Sequence, residues 1–513
     1  MSHKSRRPNR EELNAKTKER KLAQKALRRS FQEDGLPIPI PSHTTISNGK
    51  CRYTSVAEEE IARNEATFEQ LKVLRAKLPV LLKRFAAISD PRNPRKTKHK
   101  LSVLMLYGIL SFVLQMSSSR EATREMSRPM FWDNLKRFFP ELEEVPHHDT
   151  LKRLLERIEI SELEKLHLDL IRGWIRNKKF RRYLIDNYYP IAIDGTQKMC
   201  RDELWAEECL QRTYNRGEST EHTQYYVYVL QASLAFSGGL SIPVMAEFLT
   251  YAGDGSEDSK QDCELKAFNR LSKRLKKEFP ALQIMLLLDG LYANGPLQER
   301  CRKYHWQYMI VLKDGSMPTV ACEFEALSKL EPKQRHTMTW KGRTQKFRWI
   351  NDIEYEYGPN GKRKLRLHVV ECREQWFEIE DGYEGTQVVE KNSRHVWISS
   401  VPITRWNLHE RCNLGARARW TIETSFLVEK HHGYQYEHCF SYNWNAMIGY
   451  HCLMQLGYMF NVMARYSGEM ARIIKDTGVR GLIRFVRETI SSPWLNDIWL
   501  KEKFAAPFQL RLT

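Results

Sequence analysis

The stretch LQIMLLLDG, residues 282–290, is apolar at every position from Ile284 to Leu288 and stops on Asp289 and Gly290. Successive apolar positions mean a strand covered on both faces, which is the mark of a central strand in a sheet packed between layers. Working outward, LIDNYYPIAIDGTQ (184–197) holds a second apolar strand that runs into Asp194 and Gly195. HTQYYVYVLQASLAF (222–236) and LSIPVMAEFL (240–249) are two strands joined at Ser237-Gly238-Gly239, a hairpin signal. CELKAFNRLSKRLKKEF (263–279) has helical spacing, NGPLQERCRKY (294–304) reads as another helix, and WQYMIVLKDG (306–315) as another buried strand. Strand, strand, strand, helix, strand, helix, strand predicts an α/β fold.

The flanks differ in texture. Residues 1–52 are polar and basic, and form an N-terminal arm; KTKERKLAQKALRRS (16–30) has the pattern of a helix and DGLPIPIPSHTTISNG (34–49) that of a linker. Residues 53–180 read as all-helical, from VAEEEIARNEATFEQLKVLRAKLPVLLKRFAAI (56–88) through LSVLMLYGILSFVLQM (101–116) to HHDTLKRLLERI (147–158), with the basic loop SDPRNPRKTKHK (89–100) between. Short helices with basic loops suit a helical DNA-binding region, and the pattern alone leaves an ordinary helical domain open. Residues 317–404 turn polar-alternating, as in HTMTWKGRTQKFRWIND (336–352), KRKLRLHVVECRE (362–374) and SRHVWISSVP (393–402), and predict a β-rich insertion. The α/β domain then spans 181–316 and 405–466, and 467–513 reads as a helical C-terminal segment.

The chain has 513 residues, with 82 Lys and Arg against 63 Asp and Glu, a net charge of +19. A surplus this large repels itself in a compact state and points to a polyanionic partner. The ten cysteines form no Cys-x-x-Cys pair and read as reduced thiols. His147-His148 and His431-His432 have no soft ligands beside them in sequence, which argues against structural zinc. The start has no apolar signal segment. Residues 101–116 are too short to span a bilayer, and 444–463 carries Asn445, His451, Gln455 and Asn461, so both read as buried helices.

RARWTIETSFLVEK (417–430) supplies a third acid, Glu423, on a predicted helix. Arg419, Glu423 and Lys430 lie four and then seven residues apart, which places them on one face, with Trp420, Ile422, Phe426, Leu427 and Val428 over much of the rest. An ion-pair ladder is one reading of that face. Two strand-end aspartates and a helical glutamate offer another: oxygen ligands for Mg²⁺ or Mn²⁺ in phosphodiester chemistry. Asp262 and Glu264 read as acids at a helix N-terminus, and Arg212 and His222 as candidates for DNA contact.

Asp194, Asp289 and Glu423, in that order and on those elements, resemble the ribonuclease-H-like DDE transposases of bacterial insertion sequences. The segment around Glu423 is similar to the signature Tyr-x2-Arg-x3-Glu-x6-Lys of one group of them: Arg419, Glu423 and Lys430 match, and Ala416 stands at the tyrosine position. The segment from ISDPRNPRKTKHK through HHDTLKRLLERI is also similar to the helical part that precedes the catalytic domain in such proteins. The resemblance implies a ribonuclease-H-like catalytic domain with Asp194, Asp289 and Glu423 as catalytic residues holding two Mg²⁺ or Mn²⁺ ions. It implies double-stranded DNA partners, namely terminal inverted repeats and target DNA, and a homodimer when DNA-bound. Arg419 and Lys430 would grip phosphates. Trp340 and Trp349 of the insertion would be candidates to stack a flipped base, with cross-strand packing as the alternative for each. A cytoplasmic, nucleoid-associated protein with no membrane partner is expected. A metal-dependent nuclease without strand transfer and a domesticated, non-catalytic DNA-binding protein are the competing readings.

Overall fold

In the computed structural model, which describes residues 9–35, 38–41, 51, 53–251, 262–313, 315–382 and 385–512, the run Ile284–Leu288 is a strand with every side chain buried. The fold is mixed α/β. In chain order the elements are α1 (Arg10–Glu33), β1 (Ile40–Pro41), α2 (Val56–Ala87), α3 (Leu101–Val113), α4 (Ser119–Met126), α5 (Pro129–Phe138), α6 (His148–Leu155), α7 (Ile160–Arg176), β2 (Tyr189–Arg201), β3 (Leu210–Tyr214), β4 (His222–Ala235), β5 (Ser241–Leu249), α8 (Glu264–Glu278) and β6 (Ile284–Leu288). There follow α9 (Gly295–Tyr304), β7 (Gln307–Val311), α10 (Pro318–Leu330), β8 (Arg335–Trp340), β9 (Arg343–Tyr357), β10 (Arg363–Gly382), β11 (Gly385–Ser399), α11 (Trp420–His431), α12 (Trp444–Arg465), α13 (Gly468–Ile490) and α14 (Asp497–Ala505). Most of the predicted linker over 34–49 lies outside the described residues.

The chain divides into two units. One takes the described parts of Gly49–Leu288, Tyr304–Trp306 and Glu410–Thr513. Within it β2 runs antiparallel to β4 and parallel to β6, the parallel register going from Tyr189 opposite Ile284 to Ala192 opposite Leu287. The other edge of β4 is shared end to end, by β3 at His222–Tyr226 and by β5 at Tyr228–Ala235. Helix α8 packs on β4 and β5 through buried Ala267, Phe268, Leu271 and Leu275, which recur at three- and four-residue spacing.

The core of the helical part of this unit is α12. It is buried along most of its length and packs against α2, α3, α6, α7 and α13. Its polar residues join helices to one another. Asn445 Nδ2 donates to the carbonyls of Leu155 (2.8 Å) and Ile158 (2.9 Å). Asn461 Nδ2 donates to Val113 O (2.9 Å) and the Tyr434 hydroxyl (2.8 Å), and Gln70 Nε2 donates to Asn461 Oδ1 (2.7 Å). Buried amides are tolerated when paired in this way. Among the described residues no helix is long and apolar enough to cross a membrane. Helices α2, α3, α6 and α7 pack on α12, and α2 and α5 also pack on α13.

The other unit takes the described parts of Met1–Asn48, Asp289–Lys303 and Gln307–His409. Its sheet runs β7–β11–β10–β9–β8, antiparallel throughout, with β1 added in parallel to β10 at Glu378 and Ile379. Lys341 (φ 49°) and Gly342 (φ 75°) close the β8–β9 hairpin, the two-residue turn that suits the twist of paired strands. Helix α1 packs on β11, and Phe31 meets the Phe377 ring edge-on at 5.1 Å.

Strand β10 buries two carboxylates. Glu371 accepts from Arg348, from Arg394 (2.6 Å) and from Arg373 (3.0 Å). Glu374 accepts from Gln345 (2.6 Å), Arg343 (3.1 Å) and Ser393 (3.1 Å). Burial alone would raise the Glu371 carboxyl; the three guanidinium groups outweigh it and hold it below the ordinary range.

Three expectations need correction. Strand β2 does not stop at Asp194 but continues to Arg201, because β4 goes on pairing with it after β6 has ended. The segment from 317 opens on a helix, α10, with Pro318 in its first turn and Val320 and Phe324 buried; the strands begin only at Arg335. The helix predicted from 417 has a composite start. Residues His409–Gly415 form a π-helical turn, Ala416–Arg419 a 3₁₀ turn, and α11 begins at Trp420.

Candidate active site

Asp194 lies two residues past Ala192, where the parallel ladder between β2 and β6 ends. Beyond that point β2 has β4 on one edge only, so the side chains there are held by the sheet yet remain reachable. The Asp194 side chain is 23% exposed. Its Oδ1 accepts the Gly195 amide at 2.9 Å. Gly195 is not a turn residue, since it pairs with Leu230 within the β2–β4 ladder. A Cβ at this position would meet Tyr228 Cε1 at 2.5 Å, the Tyr228 hydroxyl at 2.8 Å and Glu264 Oε1 at 2.9 Å. The Asp-Gly pair thus reflects close packing: the Tyr228 ring lies against the strand and its hydroxyl donates to Glu264 at 2.6 Å. Burial, followed by the Glu264 carboxylate, pushes the Tyr228 phenol far up, so it stays protonated as a donor. Glu264 is the first residue of α8, as the sequence pattern predicts, and is also an acid packed beside Gly195.

Helix α11 packs on β2, β4 and β5. Arg419, 9% exposed, points one guanidinium nitrogen at Glu423 Oε1 (2.7 Å) and the other at Asp194 Oδ2 (3.6 Å). The Trp420 ring lies 4.9 Å from the same guanidinium carbon. One cation therefore bridges a carboxylate from β2 and a carboxylate from α11. Lys430 does not join them; its ammonium pairs with Glu437 at 3.0 Å. The apolar face differs from the predicted one. Ile422 and Phe426 are buried, but Trp420 and Leu427 are more than half exposed, and Ser425 and Glu429 take buried positions instead. Ala416, at the tyrosine position of the signature, is buried in the 3₁₀ turn.

Sequence reasoning passed over a second polar pair on the same two elements. Lys198 of β2 and Glu429 of α11 are both buried. Lys198 donates to the Tyr436 carbonyl at 2.8 Å and lies 4.4 Å from the centre of that ring. Glu429 Oε2 accepts from Gln455 at 3.2 Å, and Gln455 also donates to Gln231 at 3.1 Å. Burial pushes the Glu429 carboxyl up to about 8, against the pull of Gln455 and of Lys198 and Lys430. Burial likewise brings Lys198 down to about 8, against the nearby Glu429. The only signal in the sequence is position: Glu429 follows Glu423 by six residues, where the helix has turned most of the way toward the core.

Asp289 is described within the other unit. It caps the turn Gly290–Tyr292, accepting the Leu291 amide at 2.9 Å, and its Oδ2 pairs with Lys313 Nζ at 2.9 Å. A Cβ on Gly290 would meet the Lys313 side chain at 2.7 Å. Trp340 is half-buried at the tip of the β8–β9 hairpin, with Lys341 4.7 Å from its ring. Trp349 is 7% exposed and pairs across the ladder with Val370. Arg212 lies on β3 over the rings of Tyr214 (5.2 Å) and Tyr226 (5.0 Å), and the Tyr214 ring stacks on His222 of β4.

The donor set of Asp194 and Glu423 is oxygen only, which fits a hard divalent cation such as Mg²⁺ or Mn²⁺ and not zinc. Among the described residues, the group of three side chains with ligating atoms within 4.8 Å of one another is His147, His148 and Asp149 at the start of α6. These are consecutive, partly exposed residues.

Residues 82–171, from the end of α2 into α7, match the family model described as DDE_Tnp_1-associated. The match points to a transposase-family protein and falls on the helical segment whose likeness to such proteins the sequence suggests. No curated protein matches the chain.

Proposed function

We propose that the chain is a DNA transposase that binds the ends of a mobile element and catalyses metal-dependent DNA cleavage and strand transfer, with a catalytic domain of the ribonuclease-H-like kind. The observation that carries the reading is the convergence of Asp194 and Glu423 on the Arg419 guanidinium. Two carboxylates that share one cation, one of them on a strand held by close packing at Gly195, have little reason to be so arranged in a mere binder. The strand order supports the fold: β4 lies antiparallel between β5 and β2, and β2 lies parallel to β6, whose next residue in the chain is Asp289.

Asp194, Asp289 and Glu423 would hold two Mg²⁺ or Mn²⁺ ions, which when bound activate a water or a 3′-hydroxyl and stabilise the leaving oxygen. Arg419 keeps two of the acids aimed at a common point and supplies a cation beside the scissile phosphate. Lys430 contacts phosphate at the cost of its Glu437 pair. Helix α1 adds reach: Lys18, Lys21, Lys25 and Arg28 are exposed at three- and four-residue spacing, a stripe about 15 Å long, while Arg20, Gln24, Leu27 and Phe31 take the less exposed face. Such a stripe matches a run of phosphates. The chain acts as a homodimer on DNA, at the nucleoid of the cytoplasm. Of the two tryptophans, Trp340 has the surface position that base stacking needs.

The test is incubation of the purified chain and Mg²⁺ with a plasmid carrying the DNA that flanks its reading frame. Excised ends joined into a second plasmid are the expected product. Cleavage without joining would make it a nuclease, and binding without cleavage would make it a non-catalytic binder.

A further inference from the structure

Helices α2, α11, α12 and α13 line a cavity of about 430 Å³ within one unit, a size in the range of small-molecule sites. Its lining runs from Thr424, which is exposed, to Gln70, which is 2% exposed, so it reaches from the surface into the core. Val428, Val462, Leu482 and Ile483 form an apolar wall. Two polar groups of the lining stand open. Gln70 Nε2 donates to Asn461 Oδ1 (2.7 Å), but Gln70 Oε1 has no hydrogen-bond partner among the described residues. Asn461 cannot turn to supply one, because its Nδ2 already donates to Val113 O and the Tyr434 hydroxyl. A buried acceptor left open is costly and calls for a donor. Arg465 is half-buried, with its guanidinium carbon 5.3 Å from the Tyr466 ring, and among the described residues it has no carboxylate partner. No Asp or Glu appears among the described residues of the lining. Gln115 (φ 52°) and Gly433 (φ 96°), also in the lining, both take left-handed backbone, and a Cβ on Gly433 would meet Gln115 Cδ at 2.7 Å. Strain of this kind persists only where the surrounding structure fixes it, which distinguishes a built wall from loose packing.

We propose that this cavity binds a small amphipathic monoanion, of the class of an aromatic acid that carries one neutral N–H or O–H. Arg465 takes the anionic group. Gln70 Oε1 accepts the N–H or O–H, and the apolar wall covers the ring. A neutral donor suits the site better than an ammonium, which would need a carboxylate beside it. A single guanidinium facing an apolar wall matches a compact monoanion, whereas a DNA backbone asks for a row of cations on an open surface. The bound molecule would touch α11 at Thr424 and Val428, and so tie the helix that carries Glu423 to α12 and α13. The inference does not rest on the nucleic-acid reading.

Fluorescence titration of the full chain tests it with two dyes. 8-Anilinonaphthalene-1-sulfonate has one anionic group, one N–H and apolar rings; N-phenyl-1-naphthylamine is the same molecule without the sulfonate. Arg465→Gln is expected to weaken binding of the sulfonate about tenfold and of the uncharged dye less than twofold. Val428→Trp, which fills the cavity, is expected to weaken both. The sulfonate is expected to raise the thermal unfolding midpoint of the unmodified chain, as a ligand of the folded state does, and Arg465→Gln alone to leave that midpoint unmoved. Equal affinity of Arg465→Gln and the unmodified chain for the sulfonate would overturn the proposal, as would equal weakening of both dyes by Arg465→Gln. A midpoint lowered by the sulfonate would overturn it too, since the dye would then bind the unfolded chain. So would displacement of the sulfonate by a paired random-sequence DNA duplex, since Arg465 would then belong to a DNA surface.

Discussion

Gly195 shows how one missing side chain carries information. An Asp-Gly pair in sequence reads as a turn or as a strand end; the pairing of Gly195 with Leu230 makes this one part of a strand, and the Tyr228 ring fills the place its side chain would take. Gly195→Ala should therefore cost about 2 kcal/mol through overpacking, seen as a lower midpoint in chemical denaturation; a neutral outcome would mean that Tyr228 moves aside freely. Arg419 and Glu423 were legible because four-residue spacing on a helix is a physical constraint that needs no partner to be read. Their bridge to Asp194 was not, because Asp194 and Arg419 are far apart in the chain, in a strand and a helix that only the fold brings together. Glu429 was passed over for a related reason: a glutamate is ordinarily exposed, and nothing local to it shows the burial that β2 and α12 impose.

At the scale of elements, Arg419 between the acids joins β2 to α11, and each element also buries a charged group of its own, Lys198 and Glu429. The buried Glu429 gives a pH signature. Because the folded Glu429 carboxyl titrates near 8 and not at 4.5, the folded chain binds more protons between those values, and stability contributed by Glu429 is lost as pH rises from about 4.5 to 8. Glu429→Gln removes that loss. Its stability relative to the unmodified chain should rise from pH 5 to pH 8, by up to roughly 1.4 kcal/mol per pH unit, as measured by urea unfolding at several pH values. A difference that is flat or falls with pH would contradict the burial of that carboxyl. Strand β10 is expected to behave oppositely. Its Glu371 is held ionised by three guanidinium groups, so its contribution is present above pH 4.5 and fades as pH falls below. Glu371→Gln should cost about 3 kcal/mol at pH 7 and progressively less in acid. The hairpins of this sheet were legible from alternation and from Lys341-Gly342, whereas α10 was hidden because its buried apolar positions, Val320 and Phe324, are few and are followed by strongly alternating strands.

For the molecule as a whole, the order of elements from β2 to β7 was readable because buried strands are apolar on both faces, except for β3, whose residues after Leu210 are exposed and which the sequence reading missed; the buried α12 was distinguishable from a membrane span by its four polar residues. What those residues do, joining α2, α3 and the Tyr434 loop to one helix, follows only from the packed structure. The helical region predicted to bind DNA packs on the C-terminal helices α12 and α13, so DNA contact there would come from its exposed basic loops. The central claim is that Asp194, Asp289 and Glu423 act together on DNA. Its most direct measurement is the rate of Mg²⁺-dependent cleavage of DNA flanking the reading frame by Asp194→Asn, Asp289→Asn and Glu423→Gln, each compared with the unmodified chain at matched thermal stability. Each substitution is expected to lower the rate by roughly 1,000-fold or more with DNA binding retained in EDTA. Cleavage by Glu423→Gln at the rate of the unmodified chain would contradict the account.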